Sequence, residues 1–381
     1  MSVFGGYGPG GHRELPRVLR FSIRPDGTTR TGTRFVCSVI EEGTGIRWEY
    51  PTSLSRTGEQ RLVDDARTLA SWSVGRGSAS DAEKAVDRLA RELRRSFVGT
   101  RGEEYFGRLT PTALLVDVDE TVLNLPWELM HGPDGPFVTR VPVGRVVATR
   151  TAPHAERDPL TQDREVRILG VADPSGDLAM AKRELNALRE VVGRHPGGYA
   201  VHLDVLERDK ATTKRFRDRI AATDYDVLHF AGHAGYAPKR PGRSTLTFTD
   251  GEIRADEIGS LPWPSPPGLV FASACESAMA APGAQLVGRR RSPNGLAAAF
   301  LSAGVAGYIG YLWPVTDVGA EAVAGTFYET LFERENVGLG ILEARRRVES
   351  LWRDERDLTA YSLVLYGDAA GEHRRNLATA A

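Results

Sequence analysis

Two short apolar runs, one ending in histidine and the other in cysteine, most constrain what this chain can fold into. The first reads Val227-Leu228-His229-Phe230-Ala231-Gly232-His233-Ala234-Gly235, and the second Gly268-Leu269-Val270-Phe271-Ala272-Ser273-Ala274-Cys275-Glu276-Ser277. An apolar run of this length that stops at small residues reads as a short buried strand. Strands buried on both faces belong to parallel sheets covered by helices. In open sheets of that kind the carboxyl ends of the strands hold the chemistry. A His at one strand end and a Cys at the next is what a cysteine nucleophile and its base require. Singly, each has a plainer reading, since a Cys ending an apolar strand is commonly an inert core residue. Together they are harder to dismiss, because both strands end in small residues that let a substrate backbone come close.

The flanking sequence supplies the rest of such a fold. Strands are expected at Val166–Ala172, Tyr199–Leu206, Asp226–Ala231, Leu269–Ala274, Val305–Tyr311 and Tyr361–Leu365. Helices are expected at Ala181–Val192, Thr212–Ala222, Leu296–Ala303, Glu321–Phe332 and Leu339–Leu351. This alternation predicts an α/β fold, a mostly parallel sheet flanked by helices on both faces. Thr245–Phe248 and Glu252–Ile253 read as an inserted hairpin. Residues 17–50 alternate in strand fashion, with turns at Pro25-Asp26-Gly27 and Glu42-Gly43-Thr44-Gly45. Helices follow at 58–72 and 80–98, the second capped by Ser80, with Ala82, Val86, Leu89, Leu93 and Phe97 as its apolar stripe. Leu114–Val118 and Thr121–Leu123 suggest a hairpin, and Pro126–Met130 a short helix. The expected division is a small β-rich N-terminal region, 1–80, and a main domain, 81–381, with a polar linker near 151–164.

Composition removes several function classes. The net charge of −1 offers no basic field for nucleic acid or anionic lipid. No apolar run reaches the eighteen or so residues of a membrane span. The Gly-rich start, Met1 to Gly11, lacks the basic end and apolar core of a signal peptide. Two cysteines, Cys37 and Cys275, cannot build a disulfide framework or a Cys-rich zinc site. No metal cluster and no cofactor motif is expected. A reducing cytoplasm is expected, where a free thiol survives.

Several segments, in order, resemble the CHAT-domain family, a bacterial branch of the caspase-like cysteine peptidases. They are Leu123-Asn124-Leu125-Pro126-Trp127-Glu128-Leu129, the His run through His233, the Cys run through Cys275, Gly304-Val305-Ala306-Gly307 with Leu312-Trp313-Pro314-Val315-Thr316-Asp317, and Leu365-Tyr366-Gly367-Asp368. The resemblance implies a caspase-hemoglobinase fold and cleavage of a protein partner after a chosen side chain. It further implies a primary pocket drawing on the end of the first core strand and on the loop after the strand beyond the Cys. Asp173, Trp313 and Asp317 stand at those places, and either Asp suits a basic side chain. The family's occurrence in defence and regulated-death circuits implies a companion such as a gasdermin-like pore former, and a separate sensor or activator protein. Two departures stand out: Ala234 follows His233 where Gly is common, and no tetratricopeptide repeat is present.

Within that reading Cys275 is the nucleophile and His233 takes or shares its proton. The backbone N–H groups of Cys275 and Ala234 are the expected oxyanion donors, Gly235 replacing Ala234 if the turn is shifted. His229 reads as a strand residue with a satisfied ring. Asp173 and Asp317 also have plain roles, as a turn cap before Pro174 and as the cap of the helix from Gly319. A rival lies at Leu114-Leu115-Val116-Asp117-Val118-Asp119-Glu120, which resembles the nucleophile motif of haloacid-dehalogenase-type, Mg-dependent phosphatases using Asp117 and Asp119. A catalytically silent interaction module is the other alternative. The segment from Ala280 to Asn294, with Arg289-Arg290-Arg291, is expected to be a mobile, regulatory loop beside the site and, where the primary pocket is acidic, a target for self-cleavage; its plain reading is an idle solvated loop.

Overall fold

The structure is a computed structural model. It describes residues 18–371, apart from 43, 45–46, 74–77, 101, 103–110, 120–121, 133–134, 147–164, 195–199, 281–285, 288–289, 292, 294 and 356. The linker expected near 151–164 lies outside the described residues, as does part of the 280–294 segment.

The central element is an eleven-stranded sheet. Its strands are β1 (Val18–Thr28), β2 (Gly32–Glu41), β3 (Arg47–Ser55), β4 (Ala113–Val118), β5 (Val143–Val146), β6 (Val166–Ala172), β7 (Val201–Glu207), β8 (Val227–Ala231), β9 (Leu269–Ser273), β10 (Gly307–Tyr311) and β11 (Leu363–Tyr366). Their order across the sheet is β3-β2-β1-β4-β5-β11-β10-β9-β8-β6-β7. Only the β1/β2, β2/β3 and β10/β11 pairs are antiparallel. The mostly parallel α/β architecture is therefore the one the alternation of strand and helix signals predicts.

Helices cover both faces. On one lie α3 (Ala179–Arg194), α6 (Asp317–Arg334) and α7 (Val337–Glu355), packed on Ile168, Val227, Leu269, Phe271, Ile309 and Leu365. On the other lie α1 (Arg56–Ser73), α2 (Ala79–Leu93), α4 (Thr213–Ala222) and α5 (Leu296–Ser302), whose apolar faces join one core with Leu169, Leu228, Val270 and Tyr308. Successive residues of β8 and β9 thus enter opposite cores, which is why both runs are apolar throughout. Burying a side chain such as Phe271 or Phe230, both fully enclosed, contributes about 2–3 kcal/mol. The inserted hairpin forms as Thr245–Phe248 and Gly251–Arg254, and Ala234–Gly235 joins it as a third strand.

Several local expectations change. Leu114–Val118 makes no hairpin with Val122 and Leu123. It is the central strand β4, parallel to β1 on one side and β5 on the other, and Val122 and Leu123 lie in a turn. The ladder between β1 and β4 also makes the N-terminal strands a continuation of the main sheet. Ser78, not Ser80, caps α2, accepting the Asp81 N–H at 3.1 Å. The helix ends at Leu93, and Arg94–Val98 winds on as a wider π turn. Hydroxyls of Thr52 and Tyr50 take up its Ser96 and Phe97 carbonyls. Among the described residues no helix is long and apolar enough to cross a membrane.

Candidate active site

β8 and β9 are adjacent and parallel, with Ala231 opposite Ser273. The ladder runs one step further, the Gly232 N–H donating to the Ser273 carbonyl at 3.2 Å. His233 and Cys275 are each two residues beyond that last pair, past the ends of strands about 4.8 Å apart. Gly232 is required by a close approach, since a Cβ there would meet the Phe230 ring at 2.9 Å and Pro174 at 3.1 Å.

A tight turn presents Cys275. The Ala274 N–H donates to Ala272 O at 2.9 Å, and Glu276, next after Cys275, has φ +56°. A non-Gly residue in the left-handed region is held there by its surroundings, at a cost of about 1 kcal/mol or more. Here the holding is done just downstream. Ser277 is buried; its hydroxyl donates to Ala272 O at 2.8 Å and accepts the Tyr311 N–H at 3.1 Å. Tyr308 and Tyr366 donate their hydroxyls to the carbonyls of Ser277 and Ala278, each at 2.8 Å.

The half-buried thiol is not activated in this arrangement. Burial pushes its pKa up, the carboxylates of Glu276 and Asp317 push the same way, and the backbone N–H groups of Val315 and Cys275 itself oppose them. His233 turns elsewhere: its Nε2 lies 3.1 Å from Oδ1 and 3.3 Å from Oδ2 of Asp177. The Ser175 hydroxyl, and then His233, hold the Asp177 carboxyl below its usual range. Both His233 and Asp177 are exposed enough for solvent to screen the pair.

The Ala234 N–H, one of the two expected oxyanion donors, faces away from the hairpin. Thr247 N–H donates to His233 O at 3.0 Å, so Ala234 and Leu246 form a non-hydrogen-bonded antiparallel pair. In such a pair the Ala234 N–H points away from the neighbouring strand.

The pocket residues fall apart into different roles. Asp173 is 1% exposed with φ +48°. Its Oδ1 accepts the Leu178 N–H at 2.8 Å and its Oδ2 lies 3.2 Å from Nε of Arg208, while its own N–H ties β6 to Ala231 O. Trp313 is 3% exposed, and its backbone N–H and C=O both bind the Ser362 hydroxyl. Asp317 is exposed at the first position of α6. The cap of that helix is Thr316, whose hydroxyl accepts the Gly319 N–H at 3.0 Å. His229 is fully buried, with Nδ1 3.0 Å from the Tyr328 hydroxyl and its ring stacked on Phe271. Nε2 faces Glu184 Oε1 at 3.3 Å, without the alignment of a hydrogen bond.

The rival carboxylates are otherwise engaged. Asp117 binds Arg24 at 2.6 Å through Oδ1 and the Ser22 hydroxyl at 3.2 Å through Oδ2. Among the described residues no cluster of His, Cys, Asp and Glu is arranged to hold a metal ion. Sequence reasoning gave no role to Asp177, Val315, Tyr236 or Asn124, all of which the fold brings to the site. Asn124, inside the Leu123–Leu129 motif, and Val315, inside the Leu312–Asp317 motif, had a signal in the chain.

Parallel strands under helices on both faces, with the His and Cys at neighbouring carboxyl ends, define a caspase-like α/β fold. The CHAT domain family matches residues 81–368, and the chain belongs to that family. No curated protein sequence matches it. Among solved structures, the fold is similar to the separase–securin complex of Saccharomyces cerevisiae. One structure of that complex, at 3.0 Å, gives a TM-score of 0.57 at 12% identity, covering 92% of this chain and 30% of that one. Another, at 2.6 Å, gives 0.53 with the same identity and coverage. The chain therefore spans under a third of the length of these neighbours.

Proposed function

We propose that this chain is a cysteine endopeptidase, with Cys275 as nucleophile and His233 as base. The observation that supports the reading is the register of β8 and β9, which ends with Ala231 opposite Ser273, two residues before His233 and Cys275. With Nε2 against Asp177, Nδ1 is the ring nitrogen left to take the thiol proton. The thiolate attacks the peptide carbonyl and an S–C bond forms. The oxyanion is received by the N–H groups of Cys275 and Ala234. The imidazolium then protonates the amine as the C–N bond breaks, and water hydrolyses the thioester.

The substrate is a protein, and a basic side chain precedes the cut. Asp317 fits that pocket role because it is exposed and acts on the thiol, whereas the Asp173 carboxylate is taken by Leu178 and Arg208. Trp313 then serves as a buried wall of the pocket. The neighbour crystallised with securin supports a protein partner. A gasdermin-like or other toxic effector in a bacterial defence system, a separate sensor and a cytoplasmic setting complete the reading.

The catalytically silent module stays as a second reading, because the thiol is raised and the imidazole faces Asp177. Fluorogenic peptides with Arg, Lys or Leu before the scissile bond separate the two. Turnover of the basic peptides, lost in Cys275→Ala, supports the peptidase. No turnover of any peptide or protein by the intact chain supports the silent module.

A further inference from the structure

The amide side chain of Asn124 touches both loops of the site. Its Oδ1 accepts the Ala280 N–H at 2.8 Å, and its Nδ2 donates to the Ala280 carbonyl. Ala280 is five residues past Cys275 in the chain. An Asn amide has two N–H donors, and one is left over. The half-buried phenol of Tyr236, three residues past His233, interacts with the Asn124 side chain and with the Glu276 carboxylate. The turn that presents Asn124 is itself held from below. The fully buried Arg145 donates to the carbonyls on both sides of it, Leu123 O and Leu125 O, and binds Glu128.

We infer that Asn124 is a positioning residue that ties the His loop to the Cys loop and so sets the approach of His233 to Cys275. Its own turn cannot shift without unpairing a buried guanidinium. The inference rests on the peptidase reading for its consequence in turnover, but not for its consequence at the thiol.

Two variants test it in the full chain. Asn124→Asp keeps size and the acceptor for Ala280 N–H, but sets a carboxylate oxygen against Ala280 O. Tyr236→Phe removes only the phenol oxygen. The first readout is the rate of iodoacetamide alkylation at Cys275, followed by peptide mass spectrometry. Cys37, fully buried in the core, is the internal control for unfolding. The expected result is several-fold slower labelling of Cys275 in Asn124→Asp, which loses the placed imidazole and gains a carboxylate, with Cys37 unlabelled. Turnover of an Arg peptide should fall on the order of 100-fold in kcat with little change in KM, as for a misplaced reacting pair. Tyr236→Phe should give a smaller change, and the double variant less than the sum of both. Wild-type labelling of Cys275 in Asn124→Asp, or strict additivity with Tyr236→Phe, would overturn the inference. If Asn124→Asp labels Cys37 and so unfolds, Tyr236→Phe alone decides: unchanged Cys275 labelling in it then counts against the tie. A wild-type chain without peptidase activity would sink the peptidase reading and leave the labelling test standing.

Discussion

The Nε2 atom of His233 lies 3.1 Å from Oδ1 of Asp177, while burial raises the pKa of the Cys275 thiol. Under the proposed mechanism the imidazole turns to the thiol while Asp177 orients the ring.

Each member of the dyad should be indispensable. Cys275→Ala and His233→Ala are expected to lower kcat/KM by at least about 10³-fold, the scale on which such paired groups act. Neither side chain is part of a packed core, so melting temperatures should stay close to wild type. Asp177→Asn should cost less than either, and chiefly in kcat.

The thiol should titrate late. Burial first, then Glu276 and Asp317, raise its pKa above the free value of 9.0, so the alkylation rate of Cys275 should rise through a midpoint above pH 9. Glu276→Gln removes one of the two carboxylates and should move that midpoint down, with faster labelling at pH 8. Cys37, pushed up to about 12 by burial, should stay unlabelled throughout. The linkage runs the same way. A thiol raised in the folded state adds stability below pH 9, and that increment is lost as pH rises through the folded value. Alkaline denaturation should therefore begin earlier than in Cys37→Ala, if that variant packs as well.

The turn under Asn124 rests on a buried ion pair. Arg145 and Glu128 are both essentially without solvent exposure, joined through Nε at 3.0 Å, and Arg145 lies over the Tyr366 ring at 5.8 Å. Glu128→Ala leaves the guanidinium buried and uncompensated, which should cost about 3–5 kcal/mol, read as a lower urea midpoint. Asp117→Asn, at the rival site, leaves Arg24 half-exposed and should cost under about 1 kcal/mol. It should leave peptide cleavage unchanged, as should EDTA.

The strand register of the site was legible in the chain because parallel strands buried on both faces are uniformly apolar, and the ends of β8 and β9 stand out for their small residues. The central place of β4 was not. Leu114–Val118 has the same apolar character, but its partners, β1 and β5, come from distant sequence, and a nearby polar tip suggested a hairpin instead. Asp177 gave no signal either, because Ser175-Gly176-Asp177 looks like any helix-preceding turn. Asp173 illustrates the limit differently: its identity suits a pocket, yet the left-handed turn buries it against Leu178 and Arg208.

The arginine segment gives a prediction of its own. Arg290–Arg291 pair with Leu286–Val287 as a small antiparallel ribbon in the connection from the Cys turn to α5. If a basic residue precedes the cut, the wild-type chain should be nicked between Arg289 and Ser292 on prolonged incubation. The Cys275→Ala chain should stay intact. Mass spectrometry of the fragments checks it.

The most direct test of the dyad uses a peptide ending in an arginyl chloromethyl ketone, with intact-mass measurement of the full chain. A working site should take one adduct, mapped to Cys275, and none in Cys275→Ala; in His233→Ala labelling should be slowed strongly. An adduct on Cys37, or equal labelling of Cys275 with and without His233, would contradict the assignment of Cys275 and His233 as nucleophile and base.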